Sequence, residues 1–443
     1  MPRKTRPPFL NLDLCMIDFL LLYCSDYSVA RFGETRKEFP PLGVLYLAAA
    51  CEQQNIHVKL LDLSQIEPGN IPQTDMIGLS INSSYIYPAF QRRIEAIRAK
   101  CKLLLAGGQH VSIFPRETCV DLKADYVLVG EGEYSLPELL CRISHSGFSQ
   151  NISDIRNVYT PETVALAKYT EQARIRNLDA LPFPARHLLP DEDILLHHRI
   201  PGADVLSTNV ITSRGCPYGC RFCGNVYKGF SFRSGKNVQA EIESLQERYP
   251  QLHGIVFLDE NLFFNKEHAF DILNCMKQFD LLWTCNARVD GFTKDILPYS
   301  RAAGCVEIKY GIESGSQRIL DRMNKGISVS DIETTLRATV QCGIRTKCFL
   351  MFGYPGDCVD TALETVSFLK RNKDYIGRVN LFSFSPVPNS PVYNSGECKD
   401  FSWEDYRIYH QLHHWWGSTE EYLEVKKGYS LLREYVDENY GER

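Results

Sequence analysis

The sequence predicts an α/β protein made of two consecutive βα series and a short helical end. Three observations carry this. The chain has 443 residues, 44% of them hydrophobic and 23% charged, which is more than one hydrophobic core holds and suits two or three domains. Short apolar runs alternate with amphipathic stretches from about residue 15 to 145, and again from 206 to 394. Between the two series, residues 146–205 lack periodicity and are punctuated by Pro161, Pro182, Pro184, Pro190 and Pro201, the composition of a linker packed across a domain boundary.

In the first series (1–145), the strand candidates are 17–23, 57–61, 76–80, 102–106 and 126–129, and a helical pattern over 87–99 repeats Phe90, Ile94 and Ile97. Five such units are one doubly wound, Rossmann-like parallel sheet. Its helix starts and strand ends are rich in glycine and small polar residues: Gly43, Ser80, Gly107, Gly108, Gly130, Glu131 and Gly132. They stand where a doubly wound sheet forms the crevice for a large cofactor. His110 follows the fourth strand and reads as a loop hydrogen-bonder. In the second series (206–394), the strands are expected at 209–212, 254–258, 282–286, 306–310, 347–352 and 379–383, with helices at 238–247, 269–278, 331–341 and 361–370. Six βα units fit an open sheet or a curved barrel equally well. Residues 395–443 carry Trp403, Tyr406, Tyr409, Trp415, Trp416 and Tyr422 and are expected to form a short helical cap over the mouth of the second series.

Lys plus Arg number 49 against 54 Asp plus Glu, a net charge of -5, so the overall field repels a polyanion and nucleic acid is not an expected partner. Arg3, Lys4 and Arg6 before the apolar run 14–23 imitate a secretory signal. Asp18 interrupts that run, however, and it suits a buried first strand better. No stretch approaches the roughly 18 apolar residues of a membrane span. A cytoplasmic setting is therefore expected, in which thiols stay reduced and clustered cysteines point to metal or catalysis.

Of the 16 cysteines, three form a tight group at the end of the first strand of the second series: Ser213-Arg-Gly-Cys216-Pro-Tyr-Gly-Cys220-Arg-Phe-Cys223-Gly-Asn225. Gly215, Pro217, Gly219 and Gly224 give a loop able to turn three thiolates onto one centre. Such a set suits zinc with a fourth ligand or an iron–sulfur cube with one iron left open. His253 and Cys275, the nearest candidates downstream, sit in or beside later βα elements and form no paired knuckle, so the cube with an open iron fits better.

Cys216-x3-Cys220-x-Phe222-Cys223 resembles the signature of the radical S-adenosylmethionine (SAM) superfamily, including the aromatic residue before the third cysteine. That resemblance implies a partial (β/α)6 TIM-type barrel and a 4Fe-4S cluster held by Cys216, Cys220 and Cys223. It further implies SAM bound at the open iron, and a 5′-deoxyadenosyl radical formed by an electron from an external donor of flavodoxin or ferredoxin type. Later segments resemble the same superfamily at the ends of the following barrel strands: Phe257-Leu-Asp259-Glu260-Asn261, Asn286-Ala-Arg288, Gly311-Ile-Glu313-Ser314-Gly315, Phe352-Gly353-Tyr-Pro355-Gly356 and Ser385-Pro386-Val-Pro388. By this resemblance Asp259 belongs to the cofactor face, Glu313 and Ser314 would hold the ribose or amino group of SAM, Arg288 its carboxylate, and Phe222 would pack on adenine.

With the first series added, and with the linker Leu178-Asp-Ala-Leu-Pro182-Phe-Pro184-Ala-Arg186, the chain resembles the cobalamin-binding class of that superfamily, which includes cobalamin-dependent methylases and the anaerobic cyclase of chlorophyll synthesis. Some cobalamin proteins offer an axial histidine from a D-x-H-x-x-G loop, whereas residues 25–33 contain none. The resemblance implies a methyltransferase acting on an unactivated carbon of a small molecule or peptide through a 5′-deoxyadenosyl radical and methylcobalamin. The alternatives are a radical cyclase, rearrangement enzyme or epimerase, with Cys285, Cys348 or Tyr310 as hydrogen donor, and a non-catalytic cofactor-binding module. A tRNA methylthiotransferase is disfavoured, because Cys15, Cys24, Cys51, Cys101, Cys119 and Cys141 are scattered singly and the tail has no basic stripe.

Overall fold

The first apolar run becomes a buried central strand, Ile17–Tyr23 (β1). The computed structural model describes residues 17–25, 39–146, 152, 154–167, 173–225, 229–290, 292–399, 402–403, 405 and 411–441. β1 pairs in parallel with Ile56–Asp62 (β2) on one side and Thr74–Ser80 (β3) on the other. Cys101–Gly107 (β4) and Tyr126–Leu128 (β5) continue the sheet. The order β2-β1-β3-β4-β5 reverses direction between β1 and β3, the switch point at whose carboxyl ends an open α/β sheet binds its ligand. Val158–Tyr159 (β6), from the stretch read as linker, adds an antiparallel edge. Two apolar layers flank the sheet, one of them using Val44, Ala48 and Leu139 and the other Tyr87, Phe90 and Ile97.

The helix expected over 87–99 divides into Tyr87–Gln91 and Ile94–Arg98. Arg93 adopts φ -107° and ψ 0° and turns its guanidinium back onto the Ala89 carbonyl at 3.2 Å, so the axis breaks while Phe90, Ile94 and Ile97 still reach the core. His110 lies in a short helix, Gln109–Ile113, and not in a loop. Its Nδ1 meets Ser84 Oγ at 2.9 Å, its ring stacks on Tyr87 at 3.8 Å, and burial pushes its pKa down to about 3.

The second series is a curled, wholly parallel six-stranded sheet in sequential order. Its strands are Leu206–Val210 (β7), Leu252–Phe257 (β10), Leu282–Ala287 (β11), Cys305–Glu313 (β12), Arg345–Phe352 (β13) and Arg378–Ser383 (β14). Between β7 and β10 a two-stranded hairpin joins Ser213–Arg214 (β8) to Ser231–Phe232 (β9). The helices Gly235–Arg248, Lys266–Met276, Val329–Gln341 and Val359–Arg371 cover the outer face. Three of them start on a side-chain cap, Ser234, Asn265 or Ser328, each accepting a backbone N–H of the first turn.

The C-terminal helix Thr419–Tyr440 does not cover the barrel mouth. Val425, Leu432 and Val436 bury it on the outer flank, against the helix Val359–Arg371 and β14. The residues before it do reach the mouth, where Trp416 Nε1 donates to the Gly353 carbonyl at 2.7 Å. Trp403 packs instead on His110 and Phe114 of the first domain, while Tyr406 and Tyr409 lie outside the described residues. No described helix is long and apolar enough to cross a membrane.

Candidate active site

β7 ends at Val210, two residues short of its expected end, because Thr212 and Ser213 leave the sheet to satisfy a buried carboxylate. Asp259, just beyond β10, accepts the Thr212 amide at 3.1 Å, the Thr212 hydroxyl at 2.7 Å and the Ser213 hydroxyl at 2.5 Å. His268 Nε2 meets the same Thr212 hydroxyl at 2.9 Å. Asp259 is therefore the anchor of the cysteine loop's root, which corrects the expectation that it faces a cofactor: its oxygens are engaged behind the loop and 1% of the residue is exposed.

From that root the loop presents Cys216, Cys220 and Cys223 at the carboxyl ends of the barrel strands, the face where such folds carry their chemistry. Each sulfur receives one N–H donor: the Tyr218 amide on Cys216, Arg288 Nη1 on Cys220 at 3.3 Å, and the Asn225 amide on Cys223. The loop is pinned from outside by Arg221 N–H on the Met323 carbonyl at 2.8 Å and Asn324 Nδ2 on the Gly219 carbonyl at 3.0 Å. Cys223 is exposed as a residue, yet its thiol is crowded. Desolvation, with the charges of Glu260, Cys220 and Cys216 adding, pushes its pKa up to about 11. Burial also raises Cys216, with Glu260 and Cys220 adding. Three thiols, each already given a hydrogen-bond donor, form a donor set that a cationic centre converts to thiolates. Among the described residues no three His, Cys, Asp or Glu side chains converge on a single-ion position.

The remaining predicted positions divide. Arg288 is at the site, stacked on Tyr218 at 4.1 Å, and its buried Nε has no partner among the described residues. Glu313 ends β12 in a left-handed conformation, φ 63°, and pairs with Lys325 at 2.8 Å. Ser314 is turned away from the loop: its hydroxyl accepts the Ser316 amide at 3.1 Å and lies 3.4 Å from Thr365 of the outer helix. The role open to it is therefore structural. Phe222 packs into a small cluster with Met323, Tyr354 and Trp415 and lies under the Lys325 ammonium at 5.4 Å. Tyr218, Asn225 and Glu260 stand inside the quoted segments without a role assigned from sequence, and Lys325 lies outside them.

The crevice of the first sheet gathers all seven expected positions, Gly43, Ser80, Gly107, Gly108, Gly130, Glu131 and Gly132, around one cavity. Gly108 takes φ 108°, and a Cβ there would collide with the Ile81 carbonyl. A Cβ on Gly43 would meet nothing within 4 Å, so the cavity is open beside it. The second domain closes this cavity with Ile211 and Arg214. Arg214 Nη1 lies 2.9 Å from Glu131 and 2.7 Å from Glu133, and its guanidinium stacks 5.0 Å above Tyr46. Burial opposes the charge of Arg214, but Glu133 and Glu131 more than offset it and hold its pKa above the ordinary value. Glu131 also accepts the Ile175 amide. Residues 26–33, most of the stretch without an axial histidine, lie outside the described residues.

Two family profiles match the chain: the Radical SAM superfamily over residues 210–369 and the B12 binding domain over residues 29–140. Residues 210–369 thus match a radical SAM domain. The chain's radical SAM barrel follows its B12-binding sheet. An uncharacterized methyltransferase of Pyrococcus horikoshii is 27% identical over 352 residues, 75% of this chain and 73% of that protein. The bacteriochlorophyllide d C-8(2)-methyltransferase of Chlorobaculum tepidum is 22% identical, over 82% of this chain and 77% of that protein. Among solved structures, the radical SAM methyltransferase TsrM from Kitasatospora setae, with cobalamin and a [4Fe-4S] cluster bound, aligns with a TM-score of 0.65 at 17% identity, covering 85% of this chain and 74% of that one. This last likeness establishes the fold, including the placement of the two domains in one chain.

Proposed function

We propose that the protein is a cobalamin-dependent radical SAM methyltransferase that acts on an unactivated carbon of a small molecule or peptide. The observation that carries this reading is the shared cavity: the crevice of the B12-binding sheet is closed by Ile211 and Arg214, immediately upstream of Cys216. The relatives named methyltransferases support the same reading. When bound, the cluster and SAM would supply the 5′-deoxyadenosyl radical, and cobalamin would carry the methyl group. Cys216, Cys220 and Cys223 would hold the cluster, and Arg288, already donating to the Cys220 sulfur, has its Nε left to meet a carboxylate. The Glu313–Lys325 pair lies at the mouth of the same barrel and would face the polar end of SAM. Asp259 acts through the loop, fixing where the sulfurs stand. An external flavodoxin or ferredoxin would reduce the cluster, and a reducing cytoplasm suits the free thiols.

The epimerase alternative loses its donors. Tyr310 bonds Thr339 of an outer helix at 2.9 Å, and Cys285 and Cys348 lie in the same helix-facing core, so none of the three points into the barrel.

The crevice half of the proposal has a direct test. Loaded with excess hydroxocobalamin and desalted anaerobically, the protein is expected to retain about one cobalamin per chain by absorbance. Gly43→Trp, which fills the open side of the cavity, should lose it with an unchanged circular dichroism spectrum. Failure of the wild type to retain cobalamin, or full retention by Gly43→Trp, would contradict the assignment.

A further inference from the structure

The three cysteines stand in the connection of a very short hairpin. β8 and β9 pair over two residues each, Ser213 with Phe232 and Arg214 with Ser231, and residues 215–230 join them. A lone two-stranded hairpin is marginal in water, so one this short takes its position from whatever grips it outside. On the barrel side the grip is Asp259, which accepts the Thr212 and Ser213 hydroxyls. On the opposite side two residues that line the crevice of the first domain, Glu131 and Tyr46, reach the hairpin.

Glu131 reaches both strands. One carboxylate oxygen accepts Arg214 Nη1 of β8 at 2.9 Å, and the other accepts the Ile175 amide. The Ile175 carbonyl in turn accepts the Ser231 hydroxyl of β9 at 2.7 Å. The backbone of Glu131 is itself fixed, its amide donating to the Ala173 carbonyl at 2.9 Å. Tyr46, on the helix Leu42–Glu52, also reaches both sides of the hairpin. Its ring lies 5.0 Å from the Arg214 guanidinium, and its hydroxyl accepts Arg233 Nη1 at 3.3 Å. Arg233 follows β9 and closes the hairpin's root: its amide donates to the Thr212 carbonyl at 2.8 Å and its Nη1 to the Ile211 carbonyl at 2.9 Å. Glu241 receives the same guanidinium.

Tyr46, Glu131, Ser231 and Arg233 are all buried. Close packing leaves such groups little room to move singly, and a shift that parts a buried polar pair leaves a donor or acceptor unmatched. A ligand filling the crevice therefore fixes Tyr46 and Glu131, and through them the hairpin. A cluster on the three cysteines fixes the same hairpin from its connection. Whichever group binds first prepares the hairpin for the other, and such a linkage is reciprocal.

We infer that cobalamin in the crevice and the cluster in the cysteine loop bind with positive cooperativity, transmitted by Glu131 and Tyr46 as positioning residues. The inference rests on the cofactor assignments made above and adds a coupling between them.

The test is the dissociation constant of hydroxocobalamin, measured by anaerobic equilibrium dialysis of the full chain before and after cluster reconstitution, with iron counted in each sample. In wild type the constant is expected to fall about tenfold or more once the cluster is in place. Tyr46→Phe keeps the ring beside Arg214 and loses the contact to Arg233, while Ser231→Ala breaks the route from Glu131 at a residue outside the cavity. Each should reduce that tenfold ratio to about threefold, and the double variant should bring it to about one. Because each protein is read as the ratio of its own two constants, a substitution that only loosens the fold or trims the cavity weakens both and leaves the ratio intact. Equal constants in wild type with and without the cluster would overturn the coupling, and an undiminished ratio in the double variant would overturn its route. Failure of either wild-type form to bind cobalamin, or of reconstitution to deliver iron, would instead sink the cofactor assignments beneath it.

Discussion

Replacing Cys216, Cys220 or Cys223 with Ala is expected to remove the iron and to reduce 5′-deoxyadenosine formation by about a thousandfold or more. The magnitude follows from the donor set. Each thiol supplies a separate iron contact, and a cluster missing one of three protein ligands loses both its anchoring and the geometry of its open position. The three variants should behave alike although Cys220 is buried and Cys223 exposed, because the shared centre and not the local environment sets the loss. Cys342→Ala, at the end of an outer helix, should keep its iron. Iron and sulfide analysis after anaerobic reconstitution, with product counted by chromatography, checks both statements. A Cys223→Ala protein with full iron and activity would show that the loop is not the cluster site.

The second large effect is expected at Arg214. Arg214→Met leaves Glu131 and Glu133 buried at the domain boundary without their cation, and breaking a buried pair by removing one partner costs about 3–5 kcal/mol. The change should appear as a lower denaturant midpoint and as separation of one unfolding transition into two, since the contact joins the domains. Because Arg214 lies on the hairpin strand that leads into Cys216, the same variant should also weaken cobalamin retention. Restoring neutrality with Glu131→Gln and Glu133→Gln in the Arg214→Met background should recover much of the stability. An unshifted midpoint in Arg214→Met would mean that the triad holds nothing together.

Much of this architecture was legible in the residues. Eleven strands were placed from short apolar runs, because a strand buried on both faces must be apolar throughout and the glycine-rich turns mark its ends. The crevice was legible for the same reason: small residues at strand ends are needed wherever backbone approaches a ligand, and all seven candidates line one cavity. What sequence could not supply was side-chain direction. Asp259 and Ser314 stand at strand ends, as residues facing a cofactor do, but a polar side chain there can turn to the mouth or back to the loop root, and both turned back. Tyr310 and Cys348 were placed on the correct strands, yet one step of the two-residue alternation sends them to the helix layer. Pairings between distant segments were also invisible. Arg214 and Glu131 are 83 residues apart, and Lys309 meets Lys347 only through the strand register. The terminal helix was misplaced because its apolar stripe says that it packs, and not on which surface.

The proposed methyltransferase would use SAM twice, as methyl donor to cobalamin and as radical source, across the cavity its two domains share. Anaerobic turnover of the reconstituted protein with methyl-labelled SAM and a reductant tests it most directly. Both S-adenosylhomocysteine, with label appearing on cobalamin, and 5′-deoxyadenosine are expected from the same preparation. Formation of 5′-deoxyadenosine with no label reaching cobalamin would contradict it and leave a radical enzyme that transfers no methyl group.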